Sequence, residues 1–423
     1  MTEQAQGPIS GHDCHGPLRG HDWWSMLTDP VFLENPYAQL RTLQEQGPIH
    51  LDERSGIYFV LGHDAFSRIV KAPEMGRDTR HWQDGWFNDD FKQRDPVGYR
   101  LYDQFQHQMI NRDGADHQRM RGMWESSFRA PAMKDLVPMI EAEAERLLTA
   151  LPDQGGFDMI EAFAGPMPLR VLCNLFGLSA ASDADIHRWS ASLIRVGDIM
   201  MTAEQKQEAL DALESFKVFL RDLLAERRRD GDQSLLSVII AAQDAGVLTE
   251  EETLVNMVSM LIAGHETTVT LIGNGLLLLL NNPEQMERLR ADPALVRPAV
   301  EEFLRAEPGG NMILRVALQD YDVAGITIPK GAPVIGMIGA INRDPARFTD
   351  PDDLDVGRAG NAHFTFGGGP HICLGAPLAR LEGQIAFSAL LKRWPSIVLD
   401  GVPQWRLDRL NARGLKSLPV RVA

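Results

Sequence analysis

Helical periodicity dominates the middle of this 423-residue sequence. From about 115 to 305, apolar residues recur every three or four positions, as in ALDALESFKVFLRDLLAERRRDG. Residues 30–75 begin with the amphipathic segment NPYAQLRTLQEQG and continue as HLDERSGIYFVLG, whose alternation is typical of strands. After residue 310 the pattern changes to short strands and Gly/Pro turns. The pattern therefore predicts a mainly α protein with a smaller β region and no clean domain boundary.

The most apolar segment, residues 254–280, reads LVNMVSMLIAGHETTVTLIGNGLLLLL. Polar side chains interrupt it at Asn256, His265, Glu266 and Asn274, and such groups are costly in lipid. Its apolar positions follow the i, i+3, i+4 rule. The segment is therefore predicted to form a buried central helix from Glu251 to Asn281 rather than a membrane span.

Composition and charge narrow the class of protein. The chain is 44% hydrophobic and 24% charged, which is ordinary for a globular protein. Its net charge of −16, without a long basic tract, argues against nucleic acid as the main partner. We expect a soluble enzyme that does not act on nucleic acid or insert in a membrane.

The first two dozen residues are polar and Gly-rich, without the apolar core of a secretory signal. We expect residues 1–25 to be a flexible segment and the protein to be cytoplasmic. His12, Cys14, His15 and His21 suggest a metal site by composition, but their spacing matches no standard pattern.

The number and spacing of the cysteines also fit a cytoplasmic protein. The three cysteines, Cys14, Cys173 and Cys373, lie far apart, which argues against a disulfide framework. The sequence also has no C-x-x-C pair, so a thiolate zinc site is not expected.

One cysteine lies in an unusual loop, FGGGPHICLG, at residues 366–375. Its glycines permit uncommon dihedral angles and leave room for a flat group above the backbone. A helix predicted over 376–392 follows directly, and its free N–H groups would lower the pKa of the Cys373 thiol. Cys373 could instead be an inert buried residue. A nucleophilic role needs a base, and His371 lies too close along the same turn to serve well.

Six loop residues match the pattern F-G-x-G-x-H-x-C-x-G: Phe366, Gly367, Gly369, His371, Cys373 and Gly375. With this pattern the sequence resembles the cytochrome P-450 family, specifically its soluble bacterial members. The resemblance implies that Cys373 is the thiolate ligand of haem b (iron protoporphyrin IX). It also implies a triangular helical prism with a long central helix over the haem, formed by one catalytic domain at residues 26–423.

The stretch AGHETT, residues 263–268, is the polar interruption of the central helix. Gly264, Thr267 and Thr268 share one face, so the stretch could form a groove for water or O2. It could equally be a kinked core helix in which Glu266 finds an internal partner. The resemblance implies the first: Glu266 and Thr267 form an acid–alcohol pair that supplies protons for oxygen activation, and Ala263 and Gly264 line the haem cavity.

Further motifs follow the order of the family. The resemblance implies a structural ion-pair group made of Glu302, Arg305 and Arg358, with the last residue supplied by PDDLDVGR. It also implies cationic contacts to the haem propionates. The candidates are His117, Arg121, Arg315, His363 and His371.

Electrons must come from elsewhere, because no dinucleotide fingerprint or iron–sulfur cysteine cluster is present. The resemblance implies supply from NAD(P)H through a separate ferredoxin and its reductase. Basic residues that could dock an acidic ferredoxin are Arg112, Arg119, Arg129 and Lys134.

The substrate is the least defined feature. The mix of side chains around the expected cavity is largely apolar, which favours a small or medium hydrophobic molecule. Candidate contacts are Trp82, Trp86, Phe87, Val196, Met200, Asn311, Met312 and Ile313, of which the first three could equally be lid packing.

The leading hypothesis is a monooxygenase that inserts one oxygen atom from O2. Three alternatives stay open. One is a haem-thiolate enzyme that performs peroxide-driven oxidation, oxidative coupling or nitric oxide reduction. Another is a non-catalytic haem sensor, and the third is a thiol hydrolase that uses Cys373.

Overall fold

The structure is a computed structural model that describes residues 20–179, 183–198, 201–230 and 235–423. His12, Cys14 and His15 of the expected metal-like cluster lie outside these ranges. The described residues are mainly helical with several small sheets, so the predicted fold class is confirmed.

Helices occur along the whole described chain. They are α1 (Trp23–Thr28), α2 (Pro30–Glu34), α3 (Tyr37–Gln46), α4 (His63–Ile69), α5 (Asp89–Arg94), α6 (Pro96–Phe105), α7 (Gly114–Glu125), α8 (Ala130–Thr149), α9 (Pro166–Leu175), α10 (Asp183–Leu193), α11 (Ala203–Asp230), α12 (Leu235–Asp244), α13 (Glu250–Asn281), α14 (Pro283–Ala291), α15 (Val296–Ala306), α16 (Ile338–Ile341) and α17 (Ala376–Arg393).

The strands are short. They are β1 (Ile49–Asp52), β2 (Ile57–Val60), β3 (Met75–Gly76), β4 (Gly155–Asp158), β5 (Met312–Ala317), β6 (Tyr321–Val323), β7 (Ile326–Ile328), β8 (Pro333–Met337), β9 (Ile397–Leu399), β10 (Gln404–Trp405), β11 (Leu415–Ser417) and β12 (Pro419–Val422). They form a five-stranded sheet in the order β1-β2-β8-β5-β3, a three-stranded sheet β4-β12-β9 and two hairpins. Within the five-stranded sheet β2 and β8 run parallel, and the other pairs are antiparallel.

The central helix α13 begins and ends where its sequence allows. Thr249 and Glu252 form a reciprocal capping box, and the first turn carries three glutamates that favour the positive end of the helix dipole. The helix ends one residue before Asn282, which precedes Pro283. Because α13 packs against α9, α11, α15 and α17, it is buried over most of its length. Among the described residues, no helix combines the length and hydrophobicity needed to cross a bilayer.

The N-terminal boundary differs from the prediction. The sequence placed residues 1–25 in a flexible segment, whereas α1 begins at Trp23 and that side chain is fully buried. The indole of Trp23 stacks on Phe59 of β2, with ring centroids 3.9 Å apart. Burial of such a large apolar side chain fixes the chain before residue 25.

A buried ion-pair group fixes the segment before the cysteine loop. Arg305 donates to both carboxylate oxygens of Glu302 at 2.8 Å, and Arg358 donates to the same carboxylate at 3.0 Å. The remaining guanidinium N–H groups donate to backbone carbonyls of residues 342 and 349–353. Buried charges are tolerated only when paired and hydrogen-bonded in this way, so the structure brings these three predicted residues together as one structural unit.

Candidate active site

The cysteine loop is held tightly against α4. Gly367 and Gly369 have φ values of +68° and +67°, in the left-handed region that favours glycine. A Cβ at Gly369 would also overlap the carbonyl oxygen of Val70. Within the loop, the Cys373 N–H donates to the carbonyl of Phe366 at 2.9 Å. Glycine at position 369 is therefore required both by its dihedral angle and by the close approach of α4.

The Cys373 thiol faces a cavity beside the N-terminus of α17. Desolvation raises the pKa of this thiol, while the backbone N–H groups of Gly375 and Ala376 act in the opposite direction. The N–H groups expected from the sequence are thus in place. In the protein alone, however, they do not outweigh desolvation, so the net pKa change is upward rather than downward.

The cavity has a volume of about 410 Å³. One wall is the cysteine loop, with Phe366, Gly367, His371, Cys373 and Gly375. The facing wall is α13, which contributes Ala263, Gly264, Thr267 and Thr268 at helical spacing. The predicted residues of both motifs therefore line one space.

Basic side chains form part of the cavity wall. His117, Arg121, Arg315 and His371 all line it, and the rings of His117 and His371 lie 4.1 Å apart. Burial lowers the pKa of His117 to about 4, and the nearby charges of His371 and Arg121 act in the same direction. His117 is therefore neutral at pH 7.

A further cation, Arg77, was missed by the sequence analysis. It also lines the cavity, and its guanidinium donates to the carbonyl of Leu314 at 2.9 Å. The antiparallel register between β3 and β5 pairs Gly76 with Val316, which brings Arg77 beside Arg315. No local motif indicates this pairing, because the two strands lie far apart in the sequence.

Asp113 connects these groups. Its carboxylate accepts from His371 Nε2 at 3.0 Å and from the backbone N–H groups of Arg77 and Asp78 at 2.8–2.9 Å. Although burial opposes it, these hydrogen bonds lower the pKa of Asp113 to about 2. Asp113 is therefore ionised and orients His371 and the strand that carries Arg77.

The donor set fits iron protoporphyrin IX. Three guanidinium groups, Arg77, Arg121 and Arg315, line the cavity, and two carboxylates contact this part of the chain: Asp113 accepts from the backbone of Arg77, and Glu125 lies 3.3 Å from Arg121. Burial lowers the pKa of Arg77 to about 10 and that of Arg315 to about 9; the charge of Arg77 adds to the lowering at Arg315, and the charge of Asp113 opposes it at both. An excess of partly desolvated cations favours an anionic group, and two propionates beside a thiol ligand supply one.

His363 does not take the predicted position. It was expected to contact a propionate, but its Nε2 lies 3.1 Å from the carboxylate of Glu301 and the residue does not line the cavity. Glu301 also accepts from Arg380 at 2.7 Å. The imidazole is held by this neighbouring acid on α15, so the expected propionate contact is corrected.

Only some of the residues predicted to contact substrate line the cavity. Met312 and Ile313 line the cavity, whereas Trp82, Trp86, Phe87, Val196 and Asn311 do not, and Met200 lies outside the described residues. The Trp86 ring stacks on that of Tyr102, with centroids 4.2 Å apart, and also contacts the ring of Trp82. These aromatic side chains therefore pack against one another. Apolar residues that the sequence analysis missed line the cavity instead: Met109, Ile110, Phe128, Leu172, Phe176 and Met260.

Glu266 and Thr267 face different spaces. The Thr267 hydroxyl donates to the carbonyl of Ala263 at 2.6 Å, and its side chain is exposed to the haem cavity. Glu266 instead lines a separate cleft of about 510 Å³ and accepts from Arg409 Nη1 at 3.0 Å. Burial alone would raise the pKa of Glu266, but the charges of Arg409 and its neighbours produce a net lowering. Glu266 is therefore ionised, and its side chain lies on the face of α13 that borders the separate cleft.

The basic residues expected to dock a ferredoxin are not equivalent. Arg112 is buried next to Asp78, and Arg119 forms an ion pair with Glu252 at 2.7 Å. Arg129 and Lys134 remain exposed at the start of α8. Arg112 and Arg119 are engaged within the protein, whereas Arg129 and Lys134 are accessible, although Arg129 also lies 3.6 Å from Glu125.

Comparison with protein-family models matches residues 87–422 to the cytochrome P450 family. A similar curated protein is the biotin biosynthesis cytochrome P450 of Bacillus subtilis (strain 168), with 35% identity over 405 residues, 94% of this chain and 98% of the relative. Another is the vitamin D(3) 25-hydroxylase of Pseudonocardia autotrophica, with 39% identity over 402 residues, 93% of this chain and 95% of the relative.

Solved structures agree with these relatives. P450BioI in complex with a hexadec-9Z-enoic acid-ligated acyl carrier protein gives a TM-score of 0.85 at 33% identity and covers 93% of this chain and 100% of that chain. The tirandamycin C-bound monooxygenase TamI gives 0.82 at 33% identity, with 96% and 100% covered.

Proposed function

This chain belongs to the cytochrome P450 family and is a haem-dependent, oxygen-incorporating oxidoreductase; we propose that it inserts one oxygen atom into a small or medium hydrophobic substrate. The observation that carries the proposal is that the Cys373 thiol and the Thr267 hydroxyl face one largely apolar cavity. That arrangement places a thiolate ligand and an alcohol on two walls of the same site.

Haem bound through a thiolate supplies the redox chemistry that cleaves the O–O bond. Cys373 would be its ligand, with the N–H groups of Gly375 and Ala376 directed at the sulfur. Arg77, Arg121 and Arg315 would hold the propionates. Asp113 orients His371 beside them.

Proton supply is proposed to cross α13. Glu266 exchanges protons with water in the cleft, where the ion pair with Arg409 keeps it ionised at rest. The Thr267 hydroxyl, one residue further along, offers a hydrogen-bonding group on the cavity side. Because its proton is donated to the Ala263 carbonyl, its free lone pairs can orient a water in the cavity. Movement of Glu266 away from Arg409 would connect the two sides.

Substrate class follows from the walls. Leu172, Phe176, Met260, Met312 and Ile313 line the cavity with apolar surface. Such a site favours burial of hydrocarbon with few polar contacts. Relatives named for biotin biosynthesis, polyketide biosynthesis and vitamin D(3) 25-hydroxylation are consistent with a hydrophobic substrate.

The test combines oxygen incorporation with electron supply. Holoenzyme is mixed with NADPH, a ferredoxin, its reductase and isotopically labelled dioxygen, after spin-state shifts have selected a hydrophobic compound from a library. One labelled oxygen atom in the product is expected. Product formed equally well from peroxide without the redox proteins would favour a peroxygenase, and binding without product would favour a haem sensor.

The same assay locates the electron donor. Arg129→Glu and Lys134→Glu reverse the two accessible charges, and we expect each to slow reduction several-fold at low salt, with less effect at high salt. Lys330→Glu, at an exposed lysine after β7, is the matched control. Equal effects from all three variants would contradict docking at the start of α8.

A further inference from the structure

The separate cleft that Glu266 lines is comparable in size to the haem cavity, and the proposed reaction leaves most of it unused. Its volume is about 510 Å³, against about 410 Å³ for the haem cavity, and the two share no lining residue. Helices α8, α9, α10 and α13 and the hairpin of β10 and β11 contribute to its wall. Because only Glu266 takes part in the proposed proton route, the cleft is a second candidate binding site.

The charges that line this cleft are only partly neutralised. Some already form ion pairs: Arg146 with Glu143, Arg170 with Asp183, and Glu266 with Arg409. Within the described ranges, Arg406, Lys416 and the exposed acid Glu161 line the cleft without an ion pair. The unpaired charges are therefore positive on balance, which favours an anionic ligand.

The hairpin of β10 and β11 carries both unpaired cations. Arg406 directly follows β10 and is partly buried. Lys416 is the extra residue of β11 where the register of the pair shifts, and such a bulge re-aims the side chain that it carries. Burial, together with the charge of Arg409, lowers the pKa of Arg406. An anion stabilises a partly desolvated guanidinium more than an exposed one, because the local dielectric constant is lower.

His265 on α13 is a second and independent indication of a ligand. Its side chain lines the cleft, and the residue is only 1% exposed. Neither ring nitrogen forms a hydrogen bond within the described residues, although the carbonyl of Gly165 lies close enough to favour the protonated ring. Burial lowers the pKa of His265, so at pH 7 the ring is neutral and has one N–H donor. Buried polar groups are almost always hydrogen-bonded, so this ring indicates a partner other than the described protein atoms.

The two cations and the imidazole border the same part of the cleft. The charge of Arg406 acts on the pKa of both His265 and Glu266, which places its guanidinium near these two residues of α13. Lys416 lies on the adjacent strand of the hairpin and lines the same cleft. One ligand can therefore contact the hairpin and α13 together.

The chemistry of these donors favours phosphate. A carboxylate offers two oxygens in one plane, which a single guanidinium can occupy, whereas a tetrahedral oxyanion offers acceptors in several directions. Arginine and lysine are both common phosphate ligands, the first through its planar fork and the second as a point charge. The cleft is larger than one phosphate, so it can also hold the organic part of a phosphate ester.

We propose that this cleft binds phosphate, either as the inorganic ion or as the phosphate group of a small organic molecule, through Arg406, Lys416 and His265. The binding needs neither a substrate in the haem cavity nor redox partners. A consequence for the reaction rests on the proposed proton route. Phosphate beside Arg406 offsets one of the charges that lower the pKa of Glu266, and so makes that acid easier to protonate.

The test is isothermal titration calorimetry of the holoenzyme with inorganic phosphate and, separately, with glycerol 3-phosphate. The buffer is zwitterionic, and sodium chloride holds the ionic strength constant, so that screening contributes the same background to every titration. We expect saturable binding of one anion per chain. Equal affinity for the two compounds would assign the site to the inorganic ion, and tighter binding of glycerol 3-phosphate would assign it to an organic phosphate.

Variants assign the binding to the cleft. Arg406→Gln is expected to weaken phosphate binding about tenfold, because a charge-assisted hydrogen bond is lost. His265→Phe should weaken it several-fold. Glu266→Gln removes a negative charge from the same cleft and frees Arg409, so it should tighten binding. Arg421→Gln, at an exposed arginine on β12 outside the cleft, is the matched control and should leave the affinity unchanged.

The ferrous carbon monoxide spectrum of each variant shows whether it has folded and bound haem. If Arg406→Gln fails this check, Lys416→Gln, at an exposed side chain, provides the same measurement. Absence of saturable binding, or an equal loss in Arg406→Gln and Arg421→Gln, would overturn the proposal. A failure to detect oxygen insertion would leave the calorimetric result intact, whereas unchanged product per NADPH with phosphate bound would contradict only the consequence for Glu266.

Discussion

Two buried glutamates near the haem cavity are held in opposite states. Glu266, on α13, accepts from Arg409 and has a lowered pKa. Glu382, on α17, has no hydrogen-bond partner in the part of the chain that the structure describes, and its pKa is strongly raised. Both are buried glutamates, so the difference comes mainly from the basic groups near Glu266, of which Arg409 contributes most. The buried acid with basic neighbours is kept charged, and the buried acid without them is kept neutral.

Removal of Arg409 should have the largest effect. Arg409→Met removes the largest opposing charge from the desolvated Glu266 carboxylate, and breaking a buried pair by deleting one partner costs about 3 kcal/mol. We expect a loss of that size in the free energy of unfolding of the holoenzyme, measured by denaturant titration at pH 7.

The control for this variant is Arg421→Met, which breaks an exposed ion pair with Asp400. Its effect is expected to stay below about 1 kcal/mol. The double variant Arg409→Met/Glu266→Gln should recover much of the loss. If Arg409→Met and Arg421→Met lowered the free energy of unfolding by equally small amounts, the ion pair between Arg409 and Glu266 would not be what keeps Glu266 charged.

The contributions of threonine hydroxyls inside and outside the cavity can be tested separately on α13. Thr267→Ala removes the hydroxyl that faces the cavity and should lower the fraction of reductant that ends in product by about tenfold, equivalent to about 1.4 kcal/mol. Thr270→Ala removes a hydroxyl with the same kind of bond, to the carbonyl of Glu266 at 3.0 Å, but outside the cavity. Coupling measured as product per NADPH should be unchanged in the second variant; a comparable loss in both would refute a special role for Thr267.

The last contrast between the two glutamates concerns the pH dependence of stability. The folded pKa of Glu382 is raised, so its contribution to stability is lost as pH rises above the unfolded value of about 4.3, by at most about 1.4 kcal/mol per pH unit. The folded pKa of Glu266 is lowered, so its contribution is lost only as pH falls below that value. Between pH 5 and 8, the stability difference between wild type and Glu382→Gln should therefore slope, while that for Glu266→Gln stays flat. If the two stability differences changed with pH in the same way, Glu266 and Glu382 would not be in opposite protonation states.

Local patterns were enough to predict much of this architecture. The α13 periodicity and the cysteine loop depend on neighbours within a few residues, and the structure places Cys373, Ala263 and Thr267 in one cavity. Adjacent residues on a helix point about 100° apart. The helical spacing alone therefore predicted that Glu266 and Thr267 face different directions, although the family resemblance implied one acid–alcohol pair.

Contacts between distant segments were not predictable in the same way. Arg409 reaches Glu266 from the C-terminal region, and Arg77 reaches Arg315 only through the pairing of β3 with β5. His363 matched a motif position, but Glu301 on α15 captured its ring. In each case the outcome depends on which element the chain places alongside, and that information is not contained in the spacing of a single segment.

The close contact between Gly369 and Val70 has a consequence for how the protein is made. The ligand loop is seated on a helix near the start of the chain, and the cavity takes residues from Arg77 to Asn411. A ribosome must therefore synthesise the chain through Asn411 before the complete cavity lining exists. The haem can be bound by the full set of residues only after both distant segments have been made and have packed together.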